Sequence, residues 1–267
     1  MREELILSPA EEDLYRSHFH GLLPGQTEYR LGPIDPKLPF PIYFNLILEQ
    51  RLIVKTQIEI GWSHQGIEKL LEAVSIEEGC QIIRRVNFLC PNILENHFRL
   101  ASDLEPLEPE LLKSEVRSYH LYFIQEILKL LGEHALCKLA HKDFHAFKIK
   151  FLNSKKLQKR LSGLGVISLA EAISYGLTGP TLKACRAPHQ GDIWSRLVVK
   201  LDEIENPSGN QAPEGELIIS RIADRVRIRT PAFAHAAVLS IFFKNAQLSD
   251  LVLIMLSLGL VGTEIDR

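Results

Sequence analysis

The apolar residues of this chain change their spacing at about Ser63. Before that point, residues 42–48 and 52–60 are rich in β-branched and aromatic side chains, which favour strands. Only residues 49–51 separate the two segments, so a β-hairpin is predicted. After Ser63 the apolar residues recur three or four positions apart, which is the spacing of an amphipathic helix. The chain therefore combines a small sheet with helices.

Helical spacing continues through most of the remaining sequence and is interrupted by a second strand-like pair. Residues 216–222 and 225–229 alternate like a compact hairpin, and residues 233–260 are predicted to form one apolar helix. The predicted fold class is α+β, mainly α, with two small β-hairpins. Before the second hairpin, the predicted helices cover about residues 67–74, 82–90, 91–100, 111–131, 136–159, 169–175 and 197–204.

The chain is divided into two regions of unequal length. Residues 1–41 are predicted to form an N-terminal arm, with a short helix and an extended segment, followed by a loop made rigid by its prolines. Residues 42–267 are predicted to form a single domain.

Charge and hydropathy exclude several classes of partner. The formal net charge of -2 gives no electrostatic reason to expect nucleic acid or an anionic membrane as the main partner. The N-terminus does not resemble a secretory signal. The most apolar run, residues 248–262, is shorter than the roughly 20 residues that a membrane-spanning helix needs, and it contains Asp250. Membrane association is therefore expected only through other subunits.

The four cysteines are widely spaced, at Cys80, Cys90, Cys137 and Cys185, and none forms a CxxC pair. We interpret them mainly as reduced, buried thiols. Cys90 is the one candidate for a metal or redox role.

Residues 136–159 are rich in lysine and histidine. These cations could bind an acidic partner, but a solvated helix face is the favoured interpretation.

Four local patterns together resemble one protein family. They are residues 60–70 (IGWSHQGIEKL), 176–184 (GLTGPTLKA), 227–233 (RIRTPAF) and 262–267 (GTEIDR). In this order they are similar to segments of the 49-kDa-type subunit of respiratory complex I and of the large subunits of membrane-bound nickel–iron hydrogenases. The chain resembles a shortened and divergent member of that family. The resemblance implies a helical core like that of the hydrogenase large subunit.

The resemblance also shows what is missing for hydrogen chemistry. Hydrogenases of this family hold nickel and iron with four thiolates from two CxxC pairs. The first pair corresponds to Asn87 and Cys90, and the second to Val261 and Glu264, so three of the four thiolates are absent. Because such a centre needs soft thiolate ligands, we expect no nickel–iron centre in this chain.

In the complex I branch, the resemblance implies a quinone site in the vacated cavity. That site uses a histidine on the first loop and a tyrosine near the former first cysteine pair. Here Asp35 stands at the histidine position, and residues 87–90 contain no tyrosine. A carboxylate cannot donate a hydrogen bond unless it is protonated. Both quinone donors of the family pattern are therefore replaced.

Glu68 and His64 are the candidates for a catalytic role, as a proton relay. They are four residues apart, so they share a face if the helix includes both. In the family, the glutamate that corresponds to Glu68 is linked to proton movement, and a carboxylate beside an imidazole can relay protons near neutral pH. The alternative is a glutamate satisfied by the helix dipole and by backbone groups.

Other residues are assigned to the cavity or to the partner interface. Arg84 and Arg85 could face an iron–sulfur partner or simply cap their helix, and we weigh these interpretations equally. Asp266 and Arg267 are interpreted first as an ion pair that anchors the chain terminus. The full set expected at the cavity or interface is Asp35, Arg84, Arg85, Asn87, Cys90, Glu264, Asp266 and Arg267.

Two hypotheses about function follow. In the first, the chain is a subunit of a complex I-like or membrane-bound hydrogenase-like oxidoreductase, peripheral on the cytoplasmic side of the membrane. It would pack on a 20-kDa-type small subunit that carries a [4Fe-4S] cluster, bind no cofactor by itself, and contribute to quinone reduction or proton coupling. In the second, it is a non-catalytic scaffold that retains only the fold.

Overall fold

The computed structural model describes most of the chain. The described residues are 23–33, 38, 41–62, 65–207, 218–222, 225–229 and 236–260.

The first sheet has three antiparallel strands in the order β1-β2-β3. They are β1 (Gln26–Leu31), β2 (Tyr43–Glu49) and β3 (Leu52–Glu59). The central strand β2 is almost wholly buried, which explains its continuous apolar character. The predicted hairpin is therefore present, and β1, from the predicted arm, adds a third strand to it.

The turn between β2 and β3 explains how a hairpin forms without an Asn-Gly pair. Gln50 and Arg51 both adopt positive φ angles, 49° and 73°. A two-residue hairpin turn of type I′ requires this conformation at both positions. Two residues with unfavourable intrinsic preference are thus held there by the pairing of the flanking strands.

Helices make up most of the described structure before the second hairpin. Two of them, at Ser75 and Ser168, begin with a capping box in which the serine and a glutamate three residues later satisfy each other's backbone N–H groups. The helices are α1 (Ile67–Ala73), α2 (Ile76–Ile83), α3 (Pro91–Ala101), α4 (Pro109–Leu130), α5 (His134–Lys142), α6 (Phe144–Leu152), α7 (Lys155–Leu161), α8 (Leu169–Ser174), α9 (Gly179–Lys183) and α10 (Ile193–Glu205).

The long helix α4 is central to the core. Its buried side chains Leu112, Val116, Tyr119, Phe123 and Ile127 recur at intervals of three and four residues, the spacing that places them on one face. This face packs against α10 and against a C-terminal apolar helix. The α+β, mainly α fold class predicted from the sequence is confirmed.

The second hairpin consists of β4 (Ile218–Ile222) and β5 (Arg225–Arg229), close to the predicted bounds. The segment after it departs from prediction. Instead of one helix, the described part contains α11 (Ala236–Leu239), 3₁₀ turns at Ser240–Phe243 and Leu248–Asp250, and α12 (Leu251–Leu258).

A strand-like contact interrupts the predicted C-terminal helix. Asn245 has a left-handed φ of 62° and donates its backbone N–H to the carbonyl of Ile53 on β3 (2.8 Å). Ile53 in turn donates its N–H to the carbonyl of Ala246 (2.8 Å). Because these backbone groups bond to the first sheet, they cannot continue a helical ladder. The prediction of one continuous helix was therefore wrong.

No helix in the described part of the chain is long and apolar enough to cross a membrane.

Candidate functional site

Two carboxylates on α1 attach this helix to the second hairpin. Glu68 accepts a hydrogen bond from the backbone N–H of Ile228 (2.8 Å), and Glu72 accepts one from the N–H of Val226 (3.2 Å). Four residues along a helix span about 6 Å, and two along a strand span about 6.6 Å. The two carboxylates therefore match the spacing of alternate N–H groups on β5.

The register of the hairpin explains why these two N–H groups are available. In an antiparallel pair, alternate residues direct their N–H groups away from the partner strand. The pairing of Ile222 with Arg225 across the turn makes Val226 and Ile228 the outward-facing residues of β5. The α1 carboxylates thus cover an edge that would otherwise present unpaired donors.

Arg227 adds a cation between the same two carboxylates. Its Nη1 lies 3.3 Å from Glu72 Oε1 and 3.6 Å from Glu68 Oε2. A hydrogen bond from Lys69, together with the Val226 N–H and the Arg227 charge, holds the pKa of Glu72 below its usual value against the opposing effect of burial. The Glu68 side chain keeps 28% of its surface exposed. Among the residues that the structure describes, its Oε2 has only the longer of the Arg227 contacts.

The loop between α2 and α3 contains the residues at the position of the former first cysteine pair. Asn87 is buried, and its Oδ1 accepts the backbone N–H of Leu89 (2.9 Å). Cys90 is fully buried and precedes the first residue of α3. Between them, Phe88 is 69% exposed. Asn87 therefore shapes this loop, and the Cys90 thiol lies inside the core.

Arg84 takes part in a cluster of charges that sequence reasoning missed. Glu95 on α3 is buried and lies 3.2 Å from Arg84 Nη1 and 3.4 Å from Arg99 Nη1. Burial, with the added influence of Glu95, raises the pKa of the nearby Cys80 thiol. Arg84 thus links the end of α2 to α3, whereas Arg85 is exposed. The spacing of four residues between Glu95 and Arg99 is the sequence signal that could have predicted their ion pair.

Sequence reasoning also missed a group of buried polar side chains between α4 and α10. Arg196 and Lys200 on α10 are almost wholly buried, as is His120 on α4. The Lys200 ammonium lies 5.4 Å from the centre of the Phe123 ring, close enough for a cation–π contact. The spacing of Arg196 and Lys200 predicts a solvated face, so sequence offered no signal for their burial.

Several predicted site residues lie outside the described part of the chain. The His64–Glu68 relay and the Asp266–Arg267 ion pair therefore stay predictions. The residues concerned are Asp35, His64, Glu264, Asp266 and Arg267. Within the part that is described, no three His, Cys, Asp or Glu side chains are grouped closely enough to hold a metal ion.

Comparisons with known proteins agree with the resemblance seen in the motifs. The family model of the respiratory-chain NADH dehydrogenase 49 Kd subunit matches residues 210–267, which include β4 and β5. The chain is 24% identical to a subunit of the F(420)H(2) dehydrogenase of Methanosarcina mazei, over 69% of this chain and 74% of that protein. It is 21% identical to the carbon monoxide-induced hydrogenase of Rhodospirillum rubrum, over 85% of this chain and 96% of that one.

A solved structure supports the fold over nearly the whole chain. A chain of the membrane-bound sulfane sulfur reductase, an archaeal respiratory membrane complex, superimposes with a TM-score of 0.69 at 18% identity. The match covers 93% of this chain and 100% of that chain. The predicted resemblance is confirmed: this chain is similar to the complex I 49-kDa subunit at residues 210–267 and, over most of its length, to subunits of F(420)H(2) dehydrogenase and of a carbon monoxide-induced hydrogenase.

Proposed function

We propose that this chain is a subunit of a complex I-like or membrane-bound hydrogenase-like respiratory oxidoreductase. Its relatives are named as parts of such enzymes, and its fold matches a chain of a respiratory membrane complex. One structural observation carries the proposal. Glu68, in the first of the family-like patterns, binds Ile228, in the third, although 160 positions separate them.

We further propose the partner and the location of this subunit. It packs on a 20-kDa-type small subunit that holds a [4Fe-4S] cluster, at the cytoplasmic side of the membrane, together with other subunits of the complex. When present there, the cluster supplies one-electron transfer. The exposed Phe88, between the buried Asn87 and Cys90, provides an apolar contact for that subunit.

The donor set of this chain does not fit a nickel–iron centre. Of the four thiolate positions of the family, only Cys90 keeps its sulfur, and it is fully buried. Fewer than four thiolates cannot reproduce such a centre. We propose instead that this chain contributes the handling of protons beside a quinone held at the junction with the small subunit.

Glu68 is the residue that we propose for proton handling. Its Oε1 is fixed by the Ile228 N–H, which sets the orientation of the carboxylate, and its Oε2 keeps a longer contact with Arg227. An oriented, partly exposed carboxylate can accept and release a proton at the less strongly bound oxygen. His64, four residues before it, is the proposed second member of the relay.

A scaffold without catalytic activity is the alternative. It is favoured by the way the carboxylates of Glu68 and Glu72 both hold β5, since this contact stabilises the fold without any substrate. The hydrogen bond from Leu89 to Asn87 points in the same direction.

Paired substitutions of Glu68 and Glu72 separate the two functions. Glutamine keeps an oxygen that can accept the β5 N–H but cannot carry a proton. Glu72→Gln also loses the ion pairs with Lys69 and Arg227, so it is expected to disturb the fold at least as much as Glu68→Gln. We expect Glu68→Gln to slow quinone reduction by about tenfold or more, and Glu72→Gln to slow it by less than about twofold. The rate is measured in the purified complex, with a reduced viologen dye as electron donor and a soluble quinone as acceptor.

Two results would support the scaffold instead. Equal rates in Glu68→Gln and Glu72→Gln would show that the Glu68 carboxylate is needed only for its hydrogen bond. No quinone reduction in the wild-type complex, despite an intact cluster in the small subunit, would remove the catalytic proposal altogether.

A further inference from the structure

The strongest concentration of positive charge lies on the helices after α4. Residues 134–160 contain seven lysines and one arginine against a single aspartate, whereas the whole chain has a net charge of -2. This segment of 27 residues therefore holds 8 of the 31 lysines and arginines of the chain and almost no acidic residue. This excess of positive charge is explained either by ion pairs within the chain or by binding to a partner.

Part of this charge is used within the chain. Lys148 contacts Asp202 (2.8 Å) and Glu205 (2.7 Å), which ties α6 to α10. Lys156 contacts Glu133 (2.6 Å). The charges of Lys148 and Lys156 are therefore accounted for by ion pairs within the chain.

Three other lysines surround a groove between α5 and α6. Lys138, Lys142 and Lys150 line it, and all three are exposed with no ion-pair partner among the described residues. The groove has a volume of about 560 Å³, large enough to receive several side chains. Its lining also includes the apolar side chains of Ala135, Leu136 and Leu139.

The requirements of the helices explain only some of these lysines. Lys142 and Lys150 lie in the last turns of α5 and α6, where a cation interacts favourably with the helix dipole. Lys138 does not, and its position four residues before Lys142 makes a like-charge pair that disfavours the isolated helix. The pair becomes favourable when an anion lies against it.

We propose that this groove binds an acidic amphipathic helix of a partner protein. The partner's apolar side chains would lie on Leu136 and Leu139, and its carboxylates would contact Lys138, Lys142 and Lys150. Charge complementarity and the apolar lining carry the proposal together, since a helix-in-groove complex needs both an apolar contact and a charged rim. A flat lipid surface would meet the lysines but would not fill a concave groove.

This surface goes beyond the proposed function and is separate from its site. No residue of α1 or of the second hairpin lines the groove. Failure of one proposal therefore leaves the other standing.

The test uses the full chain and a labelled synthetic peptide of about 18 residues, which spans about 27 Å as a helix. The peptide carries leucines at helical spacing with glutamates on both flanks, and a permuted peptide of the same composition lacks the apolar face. Affinity is measured by fluorescence anisotropy at about 50 and about 200 mM salt. We expect the amphipathic peptide to bind about tenfold more tightly than the permuted one.

Matched charge reversals locate the binding site. Lys138→Glu with Lys142→Glu reverses a pair spaced by four residues on α5, and Lys155→Glu with Lys159→Glu does the same on α7, outside the groove. All four lysines are exposed, so both double variants are expected to fold. We expect the α5 variant to weaken peptide binding by about tenfold or more, and the α7 variant by less than about threefold.

Other outcomes would overturn the proposal. Equal losses in the α5 and α7 variants would mean unspecific attraction between charges. Equal binding of the two peptides would mean that the apolar lining is not used. Sedimentation of the chain with vesicles containing anionic phospholipid, lost in the α5 variant and without any binding of the peptide, would identify a membrane surface instead.

Discussion

Replacing Arg196 by methionine is expected to lower the free energy of unfolding by about 2–3 kcal/mol. The guanidinium is completely buried on α10 and contacts three separate parts of the chain. Nη1 donates to the carbonyl oxygens of Gly165 and Gly191, both at 2.9 Å, and Nε donates to the hydroxyl of Ser257 at 3.0 Å. Methionine fills much of the volume but leaves the Gly165 carbonyl without its donor, whereas the Gly191 carbonyl still accepts the N–H of Ile167 (3.1 Å).

The magnitude follows from what the buried Gly165 carbonyl loses. Each acceptor left unsatisfied costs about 1–3 kcal/mol, because it was removed from water and gains nothing in return. Burial lowers the pKa of Arg196 to about 10, so the side chain is still charged at neutral pH. Hydrogen bonds to a charged donor are stronger than those between neutral groups, which places the expected effect in the upper part of the range for single substitutions.

Denaturant unfolding followed by circular dichroism measures this loss. Arg117→Met is the matched control, because Arg117 is exposed and donates one hydrogen bond, from Nε to the carbonyl of Ile204 (3.1 Å). We expect the control to lose about 1 kcal/mol. A loss in Arg196→Met no larger than that of the control would show that the Gly165 and Gly191 loops do not depend on the guanidinium.

His120 is expected to make the free energy of unfolding depend strongly on pH. This side chain is completely buried, and its Nε2 lies 2.8 Å from Glu203 Oε2. Burial lowers the pKa of His120 to about 4, despite the opposing influence of Glu203. Within the described part of the chain, Nδ1 has no hydrogen-bond partner. A second proton on the ring would therefore be buried without an acceptor.

The sign of the pH effect follows from the two pKa values. In the unfolded chain, histidine titrates near 6.5, whereas in the folded protein His120 stays neutral down to about pH 4. Between these values the unfolded state binds a proton that the folded state does not, so stability falls as the pH falls. The difference amounts to about 3 kcal/mol at the lower end of this window.

His120→Gln isolates this contribution, since the amide can still donate to Glu203 but does not titrate. We expect the free energy of unfolding of the wild type to fall by about 3 kcal/mol more than that of the variant between pH 7 and pH 4. Denaturant midpoints at several pH values provide the measurement. Parallel pH profiles for the two proteins would contradict a neutral, buried His120.

Local patterns sufficed to predict much of the fold. The alternating and β-branched segments predicted the two hairpins. The helix after α1 was misplaced: it was predicted at residues 82–90, whereas α2 spans Ile76–Ile83 and begins at the capping box of Ser75. The break in the C-terminal segment could not be read in the same way. It depends on Asn245 pairing with Ile53, nearly two hundred residues earlier in the chain, and a local pattern contains no information about such a distant contact.

The sequence predicted which residues belong to the candidate site but not which of them contact each other. Glu68 and Arg227 both lie within the family-like patterns. Their contact at the edge of β5 joins positions that are far apart in the sequence, so local patterns do not predict it. Arg196 and Lys200 were missed for a different reason. Charged side chains are almost never fully buried, so a stripe of them on α10 predicts a solvated surface, and only the contacts of the folded chain show otherwise.

Isolation of the native assembly shows whether this chain is a subunit of a complex I-like or hydrogenase-like oxidoreductase. The tagged full-length chain is extracted from its own cells with a mild detergent, and the stoichiometry and iron content of the purified material are measured. We predict an equimolar small subunit with a [4Fe-4S] cluster, visible by electron paramagnetic resonance after reduction, together with membrane proteins. Recovery of the chain alone and free of iron–sulfur protein would contradict the account.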